Sequence, residues 1–261
     1  MMASGEPGLP AEALDFAAQL QNADAPAERW AIHIAAGDWY EDGEDYASAL
    51  NHYRQAQTLA DSLFAADDPR LGEARLARGR LSEDPEKARQ YLRETLAQWQ
   101  RVLPGDDPRL AMVREELAWA SEPEEALAHL QAALAIRQQH PDEPLALVDT
   151  RLQLARFHQY RDEHETAAVQ YRTLAALVEA HPGEPALLSR LSPAVDFFMD
   201  RGDLDKAREL LLLQHRQMGE SAPGQREVLS ALGWVALLEE DLNGAQKWFE
   251  VALALPGQDD A

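Results

Sequence analysis

The 261-residue sequence contains no cysteine. That excludes a disulfide framework, a thiol nucleophile and any thiolate metal site. Aromatic residues make up only 7%, and no β-branched run is long enough to build a sheet. Long apolar runs are missing as well. No stretch approaches the roughly 18 residues of a membrane span, and residues 1–30 have neither the basic start nor the unbroken apolar segment of a signal peptide. Ala and Leu, both strong helix formers, carry most of the hydrophobic content. These properties predict an all-α protein of the cytoplasm with no membrane association.

Positive charge is also scarce. Lysine plus arginine number 24 against 46 aspartates and glutamates, a net charge of −22, and Lys87, Lys206 and Lys247 are the only lysines. A field of this sign repels nucleic acid and anionic lipid, so neither is an expected partner. The imbalance is uneven along the chain. Residues 1–68 hold 2 basic and 13 acidic side chains, residues 69–117 hold 10 and 9, and residues 118–261 hold 12 and 24. The one basic patch is Leu71–Arg80, with Arg75, Arg78 and Arg80 following Arg70, and ion pairing to neighbouring acids is its expected use.

What the chain has is a period. Ala49, Ala88, Ala126, Ala167, Ala207 and Ala245 are separated by 39, 38, 41, 40 and 38 residues. Four and seven residues after each comes a further, mostly apolar pair, such as Tyr53 with Ala56 and Tyr171 with Leu174. An i, i+4, i+7 stripe is one face of a helix. Start signals occur twice per period. Asp67-Asp68-Pro69-Arg70-Leu71 recurs as Asp106-Asp107-Pro108-Arg109-Leu110, and acid-led turns such as Gly43-Glu44-Asp45 and Gly202-Asp203 stand between the two helices. The unit is therefore a helical hairpin repeated about six times.

In the first repeat Gly37, Tyr40, Tyr46, Ala49, Tyr53 and Ala56 follow one another at the spacing of Gly233, Ala236, Leu242, Ala245, Phe249 and Ala252 in the last. This pattern resembles the tetratricopeptide repeat, over roughly residues 26–256, with a period near 40 that is more similar to the kinesin-light-chain variety. The resemblance implies a right-handed α-solenoid and an interaction role. The expected layout is a disordered residue 1–10 segment, then one solenoid domain over 11–256. Its capping helix would span 11–22 and its repeats would start near 26, 69, 108, 144, 185 and 225, with a disordered 257–261 tail. The third hairpin departs from the pattern. Ala118 lies 8 residues before Ala126, where Gly37 lies 12 before Ala49, so about one helical turn is missing. Pro193 either kinks the first helix of the fifth repeat or starts it at Ser192.

By the same resemblance the first helices line a concave groove. Residues one and five after the small core residue face away from the partner helix. They pair Asp38 with Asp42, Arg156 with Tyr160, Asp196 with Asp200, and Trp234 with Leu238. The expected partner is a protein or peptide segment carrying basic residues and a large apolar residue near Trp234. A clamp for a C-terminal carboxylate is not expected, since all three lysines fall in or beside second helices. Catalytic motifs fail on inspection: His164-Glu165 opens like a zinc-protease motif but Ala168 stands where its second histidine belongs, and no phosphate-binding glycine loop occurs. No enzyme activity, cofactor or metal is expected. The favoured function is a non-catalytic adaptor or scaffold, with a peptide-responsive sensor acting on a separate effector as the alternative. A structural self-associating protein is the third reading, because Trp248, Val251 and Leu255 form a stripe on the last helix through which a homo-oligomer could assemble.

Overall fold

The computed structural model describes residues 11–219 and 224–255. The segments expected to be disordered, 1–10 and 257–261, lie outside the described residues. Among the described residues every regular element is a helix, so the all-α class expected from composition is the one found. The chain divides into two compact units, Met1–Ile136 and Arg137–Ala261.

The first unit contains α1 (Ala11–Asn22), α2 (Pro26–Asp42), α3 (Tyr46–Leu63), a 3-10 turn at Pro69–Gly72, α4 (Glu73–Arg80), α5 (Pro85–Val102), α6 (Pro108–Ala120) and all but the last residue of α7 (Pro123–Arg137). The second contains α8 (Pro144–Tyr160), α9 (His164–Ala180), α10 (Pro185–Leu188), a 3-10 turn at Ser189–Leu191, α11 (Ser192–Asp200), α12 (Leu204–Gln217), α13 (Gln225–Leu238) and α14 (Leu242–Ala254). Helices adjacent in sequence pack as hairpins: α2 on α3, α4 on α5, α8 on α9, α11 on α12 and α13 on α14.

The six periodic alanines are all buried. So are the residues seven further on, Ala56, Thr95, Ala133, Leu174, Gln214 and Ala252. The large residue between them lies against a small one on the first helix. A Cβ added to Gly37 would come within 2.5 Å of the Tyr53 ring, and one added to Gly233 within 2.6 Å of the Phe249 ring. Helix axes can approach this closely only where one side contributes no side chain. Around these contacts the first unit packs Leu92, Trp99, Leu110 and Leu117, and the second packs Tyr171, Leu174, Phe197, Phe198 and Leu210.

The turns within hairpins share one geometry. Glu44, Asp162, Gly202 and Glu240 each adopt a left-handed φ of 58° to 72°, and each lies five residues before a periodic alanine. The next N–H donates back to the helix just ended: Asp45 to Tyr40 O, Glu163 to His158 O and Asp203 to Phe198 O, each at 2.9 Å, and Asp241 to Ala236 O at 2.8 Å. That is the pairing that satisfies the last carbonyls of a helix. Asp45, Asp203 and Asp241 then cap the second helix by accepting from Ser48, Lys206 and Gly244 N–H.

The second and third hairpins lack this turn and have shorter first helices. α4 has 8 residues and α6 has 13, against 17 in α2. The opening of the second hairpin stays 3-10 because its carbonyls are taken from outside. Trp99 Nε1 donates to Pro69 O at 2.8 Å, and Gln98 Nε2 to Asp68 O at 2.9 Å. The identical Asp-Pro-Arg words build identical caps, in which Asp68 and Asp107 accept both the N–H and the guanidinium of Arg70 and Arg109.

In the second unit Pro193 divides the first helix of its hairpin, so that α11 begins at Ser192. Buried Gln214 donates to Leu188 O at 2.9 Å near this break, which accounts for an amide where the repeat pattern favours an apolar side chain.

Two stability changes follow from these turns. Replacing Glu44, Asp162 or Glu240 by glycine removes left-handed strain and is expected to raise unfolding free energy by about 1 kcal/mol each in urea titrations; a loss of stability at all three sites would contradict the turn geometry. Gln214→Leu, although more apolar, is expected to cost about 1–3 kcal/mol by orphaning the Leu188 carbonyl, and a neutral result would show that this carbonyl is satisfied otherwise.

Candidate binding surfaces on the first helices

In the second unit the small residues Ala155, Val195 and Gly233 are buried, and the residue after each points outward. Arg156 and Tyr160 stand at the end of α8, Asp196 and Asp200 on α11, and Trp234 and Leu238 on α13. Tyr160 is 93% exposed, and Trp234 and Leu238 are each 58% exposed. Trp234 meets Phe249 edge-on with ring centroids 5.8 Å apart.

Arg156, Tyr160 and Asp196 come together around one solvent-open cavity of about 450 Å³, completed by Gln159, Tyr171 and Pro193. Tyr171 is anchored there by donating its hydroxyl to Gln159 Oε1 at 2.7 Å. Burial raises the Asp196 carboxyl above its usual range, and the neighbouring Asp200 charge adds to the shift. The Arg156 guanidinium has no ion-pair partner among the described residues. The cavity therefore presents an uncompensated cation, an uncompensated carboxylate and an exposed ring, all available to a ligand.

In the first unit Asp38 and Asp42 do different things. The Tyr53 hydroxyl lies 2.7 Å from Asp38 Oδ1 and 2.8 Å from Glu41 Oε2, so one phenolic proton serves two carboxylates. Burial raises the phenol far above its ordinary value, and the two carboxylates add to the shift. Arg80 Nη2 donates to Glu41 at 2.6 Å. Asp42 instead lines an open groove of about 1260 Å³ with Tyr46, Leu50, Arg54 and Arg78.

Three residues of the first unit escape the sequence reading, Glu41, Glu116 and Trp119, and Arg80 pairs with an acid as expected of the basic patch, though the repeat pattern does not place it on the outward stripe. The second hairpin's small residue is Gly79, whose added Cβ would meet Leu92 at 2.8 Å. It lies nine positions before Ala88, against twelve in the first repeat, and Arg80 follows it as Asp38 follows Gly37. Trp119, after Ala118, is 69% exposed. Both signals were present but displaced by the short first helices. The Arg70–Arg80 patch is largely spent on internal contacts. Arg70 pairs with Asp68 and lies 3.9 Å over the Phe64 ring, Arg75 is 3.7 Å from Glu94, and Arg78 donates to the Tyr91 hydroxyl at 2.7 Å.

On α14, Trp248 does not face outward with Val251. It packs on the core of the second unit, its ring 5.8 Å from His215. Val251 is exposed, and the Leu255 carbonyl accepts from Arg226 at 2.6 Å. The imidazole of buried His158 lies 2.6 Å from Glu163 Oε2, whereas His164 is half-exposed beside Phe197.

No protein-family model matches the sequence, and no curated protein matches it either. Solved structures do match. A Podosopora anserina kinesin light chain of nearly identical TPR-like repeats superposes with a TM-score of 0.51 at 14% identity, covering 89% of this chain and 96% of that one. PilF of Pseudomonas aeruginosa gives 0.56 at 16% identity, covering 85% and 90%. A Rap protein complexed with competence and sporulation factor gives 0.62 at 15% identity, covering 92% of this chain and 68% of that one. The chain thus has the fold of tetratricopeptide-repeat-like proteins.

Glu116 supplies a test of the first unit's electrostatics. Burial raises its carboxyl above the usual value near 4.5, an effect larger than the opposing pull of Arg80. A raised carboxyl makes the folded state hold more protons than the unfolded one between those two values. Its stabilising contribution is therefore full below pH 4.5 and is lost as pH rises through the raised value. Glu116→Gln is expected to be more stable than the parent at pH 7 and to match it near pH 4, read as urea midpoints; a parent that is the more stable at pH 7 would overturn the assignment.

Proposed function

We propose that this chain is a non-catalytic cytoplasmic adaptor that binds a protein or peptide segment across the first helices of its second unit. The cavity where Arg156, Tyr160 and Asp196 converge carries the proposal, because it offers unpaired charge of both signs beside exposed aromatic surface. Asp196 and Asp200 would take basic side chains of the partner, and Trp234 with Leu238 would take a large apolar one. Likeness to repeat proteins, including a Rap protein solved with a bound factor, supports an interaction role. It also favours a second reading, a sensor that passes ligand binding to a separate effector. In the first unit the Asp38 and Glu41 carboxylates are already engaged by Tyr53 and Arg80, so that surface is secondary.

Self-association through the last helix is the weaker alternative. Trp248 is turned inward, which leaves Val251 as the exposed member of the stripe with Leu255 partly covered.

The test is affinity purification from the native cell with mass spectrometry, comparing the parent with Trp234→Ala and with Asp196→Asn/Asp200→Asn. A central aromatic anchor contributes about 2 kcal/mol or more, so recovery of a specific partner should fall roughly thirtyfold in Trp234→Ala. The double asparagine variant should lose partner and also lose the salt dependence of binding. Equal recovery by all three proteins would sink this surface. Recovery that changes on addition of a low-mass ligand would favour the sensor.

A further inference from the structure

The hairpins of the second unit present equivalent outward positions in a fixed order. Arg156, Asp196 and Trp234 each follow the buried small residue of a first helix, and Tyr160, Asp200 and Leu238 lie four residues further on. All six are exposed. From α8 through α11 to α13 the surface is therefore a cation with a phenol, then two carboxylates, then two large apolar side chains. The first two of these helices are direct neighbours: Arg156 and Asp196 line one cavity, and Arg190, just ahead of α11, donates to Asp149 of α8 at 2.6 Å. Val195 of α11 shares one core with Val228, Leu232 and Val235 of α13. Arg156, Asp196 and Asp200 form no ion pair among the described residues.

Packed helices lie about 8–10 Å apart, so equivalent positions on this surface repeat at roughly that interval. A polyproline-II segment rises about 3.1 Å per residue with three residues per turn, which puts every third side chain on one face at steps of about 9.3 Å. A β-strand alternates faces at every residue and turns each third side chain away. An α-helix covers the same step only with about six residues, and its carbonyls are bonded within the helix. Polyproline-II leaves its carbonyls free, and Gln159 has donors for one. Its Oε1 accepts from the Tyr171 hydroxyl at 2.7 Å, while its amide N–H groups make no bond among the described residues. The Asp196 carboxyl is raised first by burial and then by the Asp200 charge, and a cation set between the two carboxylates relieves the second cause.

We propose that these first helices take a polyproline-II segment whose successive third residues are acidic, basic and large and apolar. The acidic side chain pairs with Arg156, the basic one lies between Asp196 and Asp200, and the apolar one covers Trp234 and Leu238. This inference rests on the reading that the surface binds a partner segment, and adds the conformation of that segment and the order of its side chains. A segment already extended as polyproline-II loses little conformational freedom on docking, which suits a shallow, open surface.

The probes are fluorescein-labelled peptides carrying Glu-Pro-Ala-Arg-Pro-Ala-Leu and the reversed string Leu-Ala-Pro-Arg-Ala-Pro-Glu, titrated with the full chain by fluorescence anisotropy. One of the two should bind at least tenfold tighter than Arg-Pro-Ala-Glu-Pro-Ala-Leu, which exchanges the charges, and than Glu-Pro-Arg-Pro-Leu, which shortens the spacing. In Arg156→Glu that binding should fall at least tenfold and return when arginine replaces the glutamate of the peptide. Equal binding of the ordered and exchanged strings, no binding in either polarity, or a loss in Arg156→Glu that the altered peptide does not restore would overturn the proposal. Recovery of the native partner by parent and Trp234→Ala separates the two levels. A partner lost in Trp234→Ala while the peptides fail leaves the surface standing and removes this segment, whereas a partner held equally by both removes the surface as well.

Discussion

A large side chain on the second helix of a hairpin lying directly on a small residue of the first is the contact on which everything else here depends. Tyr53 on Gly37 and Phe249 on Gly233 leave no room for even a methyl group between helix and ring. Once that distance is fixed, so is the rotation of the first helix, because the residue after the small one must turn outward. Arg156, Asp196 and Trp234 are surface residues for the same reason that Ala155, Val195 and Gly233 are buried. The packing of the core and the composition of the outer surface are two results of one register.

That coupling explains which parts of the structure were legible in the sequence. The six alanines stay evenly spaced because second helices are regular, and their burial could be read from the i, i+4, i+7 pattern alone. The outward residues could be read only where the small residue sits twelve positions before the alanine. In the second hairpin Gly79 is three positions nearer, so the outward position of Arg80 was hidden, although its pairing with an acid was expected from the basic patch. Glu41 was missed for another reason. It lies four residues after Gly37, a position that a one-and-five rule passes over, and only the reach of the Tyr53 hydroxyl reveals its partnership. Trp248 marks a limit of helical periodicity, which groups residues on a face but does not say whether that face meets solvent or, as here, His215.

The charge imbalance is likewise managed locally. The one stretch with balanced charge, residues 69–117, supplies arginines that neutralise acids within the first unit, as Arg80 does for Glu41 and Arg93 for Glu125. In the second unit Arg190 does the same for Asp149 and Arg208 for Glu239. Charges left without such partners, as at Arg156 and Asp196, are those with something to offer a ligand. In an acidic chain, unpaired charge of either sign is more informative than total charge.

The left-handed turn residues bear on how this protein can change over time. Glu44, Asp162 and Glu240 hold a conformation that glycine holds without strain, and Gly202 occupies the equivalent turn. Every codon for aspartate or glutamate becomes a glycine codon by a single A-to-G transition at its second base. The gene therefore keeps a reserve of compensating mutations one step away, on which lineages acquiring new, destabilising surface residues could draw while the hairpins stay folded.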